Sequence, residues 1–451
     1  MANSSINTDA YSLANPTLLR TLTGGDSPVA ERFLAPLSEV IPDLQTIRDC
    51  RVLPDEDWLA LGVLRVLHEA RSGRGFLQET ALHLPNAPDF NHFFATLRSE
   101  RRLKVCQEAV SLLNASLKAR LPDALAEVEE LAGFDVYAAD GHWHGAAAHD
   151  RPPFPKSPKS ACGHFYALDL RYGLLHHITA ADQLEREHEH ACGETGTPHP
   201  VWRALKRQTI DDLRLGAPKG RKVLHVYDKA GIDFPAWDRW KKTGGIYFLS
   251  QEKENMALVA LKDLPWDPLD PRNAGVKSDE QCESSAGVLV RRVSFEDPVT
   301  GTMRVFITSE MTLPPGILAE PARRRWNIEN VFDELKNKLG ETKAWAPSAT
   351  AKTMQALFIC LAHQFLLVFE HMIEADHGIR PEAELKRRAK RLAAEEDFAL
   401  KNHRPFPALR AAVLRLTQRT VKLLRWLRAS LLREAPWLHL IAILRHSYAS
   451  I

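Results

Sequence analysis

The segment FDVYAAD, residues 134–140, is a short run of β-forming residues that ends in an aspartate. Four similar runs follow: HFYALDL (164–170), LLHHITA (174–180), KVLHVYD (222–228) and IYFLS (246–250). Each is bounded by glycine or charged residues, a pattern that predicts strands. Polar, helix-sized segments separate the later runs, from Gln183 to Leu215 and from Phe234 to Thr243.

The order of these segments predicts the architecture of the central region. The second and third strands are joined by Arg171-Tyr172-Gly173, a link of hairpin size. Three antiparallel strands followed by alternating helix and strand are the order of a ribonuclease-H-like core, an α/β fold with a mixed five-stranded sheet. Residues 252–312 then break the alternation, and their segments VLVRRVSF and MRVFITSE predict a β-rich insertion.

The whole chain therefore divides into five predicted regions. Helical periodicity with helix start signals marks the N-terminal part, and a charged helix followed by an apolar one marks the part after Pro314. The regions are 1–130, helical and expected to bind DNA ends; 131–251, the first part of the core; 252–312, the β-rich insertion; 313–375, the second part of the core; and 376–451, a basic helical region.

Composition restricts the class of protein. Apolar residues make up 45% and charged residues 26% of the 451 residues, which excludes a disordered chain. No run of 18 uncharged apolar residues is present, so we expect no membrane span. The six scattered cysteines predict reduced thiols in a cytoplasmic protein. Residues 381–451 carry 15 Lys and Arg against 6 Asp and Glu, which fits either a polyanion-binding segment or a solvated helical face.

Two of the predicted strands end in aspartate, Asp140 and Asp228. A single such aspartate is more often a turn residue or a helix N-cap. Two of them on adjacent strands of one sheet favour a site for divalent cations. Glu329 lies on the predicted helix of residues 319–339 and supplies a third carboxylate. Three carboxylates with basic neighbours fit two-metal phosphoryl transfer, although a salt-bridged amphipathic helix remains the simpler interpretation of the helix alone.

The spacing of charges on that helix supports the functional interpretation. Arg325, Glu329 and Lys336 are expected along one face, where the two cations could clamp phosphates. Trp326, Ile328, Phe332 and Leu335 are expected to form the buried face.

These residues resemble a known family, the bacterial insertion-sequence DDE transposases, and within it the group named after insertion sequence four. The signature of that group is Tyr-x2-Arg-x3-Glu-x6-Lys, and Arg325, Glu329 and Lys336 match its last three members at the right spacing. Asp140-Gly141 and Asp228-Lys229-Ala230-Gly231 look like the first two aspartate motifs. The signature tyrosine falls on Ala322, so either the phosphate contact of that tyrosine is lost or another aromatic residue such as Trp326 replaces it.

The resemblance implies an enzyme that cuts DNA at the ends of its own mobile element and joins the 3′-hydroxyl to target DNA. It implies that Asp140, Asp228 and Glu329 are catalytic and hold two Mg²⁺ ions, with Mn²⁺ as a substitute. It also implies double-stranded DNA as partner, a homodimer on DNA, and a place in the bacterial cytoplasm at the nucleoid. The DNA contacts expected from it are Arg325, Lys336, Lys229 and Arg324.

Two other classes of protein remain as alternatives. A catalytically silent, transposase-derived DNA-binding protein would keep the fold, although such proteins usually lack one of the three carboxylates. The segment His142-Trp-His144 also occurs after a strand in metal-dependent amidohydrolases, which need eight strand–helix units. His188, His190 and Cys192 could bind zinc but lack a second ligand pair at suitable spacing.

Overall fold

A computed structural model describes residues 28–48, 50, 52–68, 72–83, 90–150, 162–181, 207–254, 256–297, 299–404, 406, 421–432 and 435–447. The α-helices in these residues are α1 Pro28–Val40, α2 Asp55–Leu67, α3 Gly73–His83, α4 Phe90–Thr96, α5 Glu100–Lys118, α6 Ile210–Arg214, α7 Phe234–Gly244, α8 Pro315–Arg324, α9 Trp326–Asp333, α10 Ala349–His377, α11 Glu382–Lys401, α12 Val421–Leu432 and α13 Trp437–Ser447. A π-helical turn, Glu334–Lys338, continues α9.

The strands form one mixed sheet of nine members in the order β3-β2-β1-β4-β5-β9-β8-β7-β6. Their bounds are β1 Phe134–His144, β2 Cys162–Asp169, β3 Leu175–Ala180, β4 Lys222–Val226, β5 Ile246–Gln251, β6 Leu258–Asp263, β7 Val276–Ser284, β8 Leu289–Glu296 and β9 Met303–Thr308. β1 pairs parallel with β4, and β4 pairs parallel with β5, whereas the other neighbours are antiparallel. The sheet exceeds the five predicted strands because β6–β9 extend it beyond β5.

The chain divides into two compact units. The helical unit comprises residues 1–116, 350–380 and 419–450, and the sheet unit comprises residues 117–349 and 381–418. In the helical unit, α10 is long and apolar enough to cross a membrane, but 78% of its most apolar window is buried within the protein. Its length and composition are therefore weak evidence for a membrane span, since a buried core helix has the same properties.

Helix α2 begins with an acidic first turn, Asp55 to Asp57, and ends at Leu67, after which His68 is extended, with φ −83° and ψ 136°. Gly73 begins the next helix, α3. A Cβ atom at Gly73 would lie 1.9 Å from the ring of Phe94, so this glycine is required for close packing.

Alternation along β1 gives the sheet two different faces. Tyr137 and Ala139 point into a core that is covered by α7, where Trp237 stacks on Phe248 with ring centroids 5.4 Å apart. Helix α7 begins where the Asp233 carboxylate accepts a hydrogen bond from the Ala236 N–H. The opposite face carries the even-numbered residues of β1 and packs against α8 and α9. That second face holds the candidate site.

The predicted helix of residues 183–215 falls largely outside the described residues, and only the short α6 is seen from it. The histidines and the cysteine considered for zinc, at positions 188, 190 and 192, also lie outside the described part. The sheet of mixed and largely antiparallel strands is incompatible with a barrel of eight parallel strands, so the amidohydrolase barrel is wrong.

Candidate active site

Asp140 and Asp228 are brought together by the parallel pairing of β1 with β4. The last paired residues are Ala138 and Val226, and each aspartate lies two residues further along its own strand direction. Side chains two positions apart on a strand point to the same face of the sheet, and neighbouring strands lie about 4.8 Å apart. The two carboxylates therefore leave the sheet side by side, with Asp140 still inside β1 and Asp228 exposed just after β4.

The backbone around Asp228 is held by the next strand. The Ser250 hydroxyl donates a hydrogen bond of 3.0 Å to the Asp228 carbonyl oxygen, and the Tyr227 N–H donates to the Leu249 carbonyl at 2.9 Å. After Asp228 the chain turns through the 3-10 segment Lys229–Gly231. This arrangement fixes the position of Asp228 at the end of the sheet.

Glu329 reaches the same place from α9. One guanidinium group, that of Arg325, donates a hydrogen bond of 3.0 Å to Asp140 Oδ2 and another of 2.8 Å to Glu329 Oε1. All three side chains are largely shielded, with 18% of Arg325, 23% of Asp140 and 31% of Glu329 exposed. The structure therefore assembles a glutamate and an aspartate that are separated by almost 190 positions in the sequence.

The electrostatics at Asp140 indicate an excess of negative charge. Burial and then the charge of Asp228 raise the pKa of Asp140 to about 6, and Glu329 adds to this effect. The Gly141 N–H, which donates at 2.7 Å, and the Arg325 guanidinium oppose the rise without cancelling it. A carboxyl group with so high a pKa, between two further carboxylates, is typical of a site that binds cations or transfers protons.

The donor chemistry of this cluster fits a divalent cation, because carboxylate oxygens are the ligands that Mg²⁺ and Mn²⁺ prefer. Within the described residues, however, no three His, Cys, Asp or Glu side chains are already arranged around one point for a metal ion. The Arg325 guanidinium lies between Asp140 and Glu329 and supplies the positive charge there.

Helix α9 is positioned by its apolar face. Ile328, Phe332 and Leu335 are buried, and Phe332 stacks on His142 of β1 with ring centroids 4.7 Å apart. Trp326 was expected on the same face, but it is 60% exposed. At 100° per residue Trp326 lies about 200° from Ile328, so it points away from the sheet.

A group of histidines lies beneath α9. His142, His144 and His164 are buried and His177 is partly buried, and the four come from three adjacent strands. His164 Nδ1 lies 3.0 Å from His177 Nε2. Burial lowers the pKa of His142 and His177 to about 4 and that of His144 to about 3. The rings of His142, His144 and His177 are therefore neutral near pH 7, and they contribute packing rather than charge to the site.

Helices α8 and α9 are separated by a turn at Arg325. Upstream of it, Glu320 accepts hydrogen bonds from Arg323 at 2.9 and 2.7 Å, and it also pairs with Arg324. Arg324 is only 3% exposed. This placement does not support the prediction that Arg324 binds DNA, because its guanidinium is enclosed and engaged by Glu320.

The other predicted DNA contacts lie close to the carboxylates. Lys229 follows Asp228 directly, and Lys336 is exposed on the π-helical turn, near enough to His142 to lower the pKa of that ring. Ala322, at the position of the signature tyrosine, lines a groove beside Asp228 together with Trp326. The sequence alone did not identify four further arginines that line this groove, Arg304 of β9 and Arg387, Arg388 and Arg391 of α11.

Residues 202–365 match the family model of the transposase DDE domain. The matched segment contains Asp228 and Glu329, while Asp140 lies before its start. The match supports a DDE transposase, and the mixed sheet with its flanking helices is compatible with that assignment. None of the curated proteins matches the chain.

Proposed function

We propose that this protein is a DNA transposase that cuts at the ends of its own mobile element and joins the freed 3′-hydroxyl to target DNA. The observation that carries the proposal is the convergence of Asp140, Asp228 and Glu329, with the pKa of Asp140 raised to about 6 by burial and by its acidic neighbours. The DDE-domain match over residues 202–365 supports the same chemistry.

We assign the enzyme to the insertion-sequence-four group on its Arg325, Glu329 and Lys336 spacing. In this assignment β3-β2-β1-β4-β5 is the ribonuclease-H-like core, and β6–β9, within residues 252–312, are the insertion. The sheet order and the two parallel pairings around β4 support the core. Residues 131–251 and 313–375 then form the two parts of the catalytic region, between the helical regions 1–130 and 376–451.

In the proposed mechanism Asp140, Asp228 and Glu329 would hold the ions required for phosphoryl transfer. Two bound Mg²⁺ ions, or Mn²⁺ in their place, would activate the attacking water or 3′-hydroxyl and stabilise the leaving oxygen. Asp140 lies within β1 and Glu329 within α9, so a strand and a helix hold these two carboxylates in position. Such pre-positioning is what in-line phosphoryl transfer requires of a protein.

Arg325 has two roles in this proposal. In the absence of DNA its guanidinium pairs with both Asp140 and Glu329. When DNA is bound, the guanidinium turns to a backbone phosphate, which its fork of N–H donors can grip with two hydrogen bonds, and the carboxylates become free for cations. Lys229 and Lys336 contribute further phosphate contacts on either side.

The partner is double-stranded DNA, first the terminal inverted repeats and then the target. We assign recognition of the repeats to the helical N-terminal region, and we propose that two copies of the chain act together because both ends must be cut. The enzyme would work in the bacterial cytoplasm, at the nucleoid.

The experiment uses a duplex taken from the borders of the element that carries this gene, incubated with the full chain in Mg²⁺ or in EDTA. We expect Mg²⁺-dependent strand cleavage by the wild type and none by Asp228→Asn. Asp238→Asn is the matched control, because Asp238 pairs with Lys242 on the surface of α7, away from the carboxylate cluster. Wild-type protein that binds the duplex without cutting it would instead identify a catalytically silent derivative, which the alanine at position 322 makes the second candidate.

A further inference from the structure

A groove of about 1150 Å³ opens beside Asp228. Its floor contains the ends of β4 and β5, and its walls come from α8 and α9, from β9 and from α11. Seven of its lining side chains are lysine or arginine, whereas the acidic ones are Asp228 and Asp297. Typical small-molecule pockets measure roughly 300–1,000 Å³ and are mostly apolar, so the size and charge of this groove indicate a larger polyanion.

Several of these cations have no ion-pair partner among the described residues. Arg323 and Arg325 pair with carboxylates, as described above. Lys229, Arg304 and Arg391, in contrast, form no ion pair with any residue that the structure describes. Like charges gathered around one groove repel one another, and an anionic ligand removes that repulsion.

Helix α11 is anchored so that its arginines reach the groove. Ala399 is fully buried near its C-terminal end, and Arg404, just beyond that end, pairs with Glu296 of β8 at 3.4 Å. Arg387, Arg388 and Arg391 all line the groove, and at 100° per residue they span one 100° arc of the helix. Two exposed lysines of α11, at positions 386 and 390, lie on the adjoining arc and are not part of the lining.

We propose that this groove binds the sugar–phosphate backbone of a DNA strand that leads away from Asp228, with Arg304 of β9 and Arg391 of α11 as phosphate contacts. The inference rests on the proposed function, because the neighbouring carboxylates identify DNA as the polyanion. It gives the insertion and the basic C-terminal region a common role, since each supplies one wall of a channel to the catalytic carboxylates.

The expected magnitude follows from counterion release. Each phosphate contact contributes about 0.9 to the slope of log affinity against log salt concentration for duplex DNA. Loss of one contact then lowers affinity about eightfold at 0.1 M salt, if affinity at 1 M is unchanged. Loss of both arginines should lower affinity roughly sixtyfold and reduce the slope by about 1.8 units.

The experiment measures binding of the full chain to a fluorescent duplex in EDTA, by anisotropy, across a series of NaCl concentrations. The variants are Arg304→Ala, Arg391→Ala and their double, with Arg391→Lys as the charge-preserving rescue. Lys386→Ala and Lys390→Ala are matched controls, because they remove the same charge from the same helix outside the groove. Arg304 and Arg391 are exposed, so their substitution should leave the fold intact, which circular dichroism would verify.

We expect the arginine variants to lose slope as calculated, Arg391→Lys to recover it, and the lysine controls to match the wild type. Equal losses in the controls, or arginine variants with unchanged slopes, would overturn the groove assignment while leaving the transposase proposal intact. A slope loss seen with RNA but not with DNA would also overturn it. If the wild type bound no DNA at all, the proposed function itself would fail first.

Discussion

Replacing Asp140 with asparagine should stabilise the folded protein while it destroys the proposed site. Burial and the charges of Asp228 and Glu329 raise the pKa of Asp140 to about 6 from an ordinary value of 3.8. A shift of that size corresponds to about 3 kcal/mol of unfavourable interaction for the charged form, and this value already includes the attraction of Arg325. Asparagine has nearly the same shape and can still accept the hydrogen bond from the Gly141 N–H.

The sign of the pH dependence follows from the raised pKa. The folded protein holds the Asp140 proton more tightly than the unfolded chain, so wild-type stability falls as pH rises from about 4 to above 6. Asp140→Asn lacks this loss. Its advantage over the wild type should approach 3 kcal/mol at about pH 7.5 and fall to about half of that near pH 5.

Urea unfolding in EDTA, followed by circular dichroism, measures this difference. Asp397→Asn is the control, since Asp397 forms an exposed pair with Lys401 on α11 and should change stability by less than 0.5 kcal/mol. If Asp140→Asn were less stable than the wild type at about pH 7.5, the Asp140 carboxylate would support the fold instead of straining it.

Three further substitutions test the surroundings of the site. Arg325→Lys should lower DNA affinity roughly tenfold by anisotropy, because an ammonium group cannot make a bidentate phosphate contact; unchanged affinity would remove Arg325 from the binding site. Lys336→Ala should reduce the salt slope of DNA binding by about one unit, and an unaltered slope would leave Lys336 a solvated residue. Glu320→Gln should destabilise the protein by about 3 kcal/mol in urea, since Arg324 is buried against that carboxylate; stability equal to the wild type would contradict this.

The strands that carry the aspartates could be located from sequence because their signals are local. The runs 134–140, 222–228 and 246–250 contain β-forming residues between clear boundaries, and β1, β4 and β5 occupy nearly the same positions. Their pairing could be anticipated as well, since alternating strands and helices favour parallel neighbours. The two aspartates accordingly lie side by side.

Features that depend on distant parts of the chain could not be predicted. β6 and β7 are rich in charged residues, and their pairing is set by neighbours in the sheet and not by local propensity. The break at Arg325 and the π-helical turn after Asp333 carry no strong local signal, so one helix was expected over residues 319–339. The burial of Arg324 depends on its contact with Glu320, which an i, i+4 spacing permits but does not require.

The basic groove beside Asp228 also depends on residues that are distant in sequence, so it could not be predicted. An excess of basic residues in the C-terminal region is visible in the sequence, but charge alone fits a solvated face equally well. Only the fold brings Arg387, Arg388 and Arg391 next to Asp228, more than 150 positions away.

The role of Glu329 in catalysis is tested by measuring, in parallel in Mg²⁺, how well Glu329→Gln binds and how fast it cleaves the element-border duplex. Glutamine keeps the shape of the side chain but loses the charge that holds a divalent cation. We expect the variant to bind the duplex with nearly wild-type affinity and to cut it at less than one hundredth of the wild-type rate, which corresponds to a loss of about 2.7 kcal/mol or more. Cleavage at the wild-type rate by the folded variant would contradict the assignment of Glu329 as the third catalytic carboxylate.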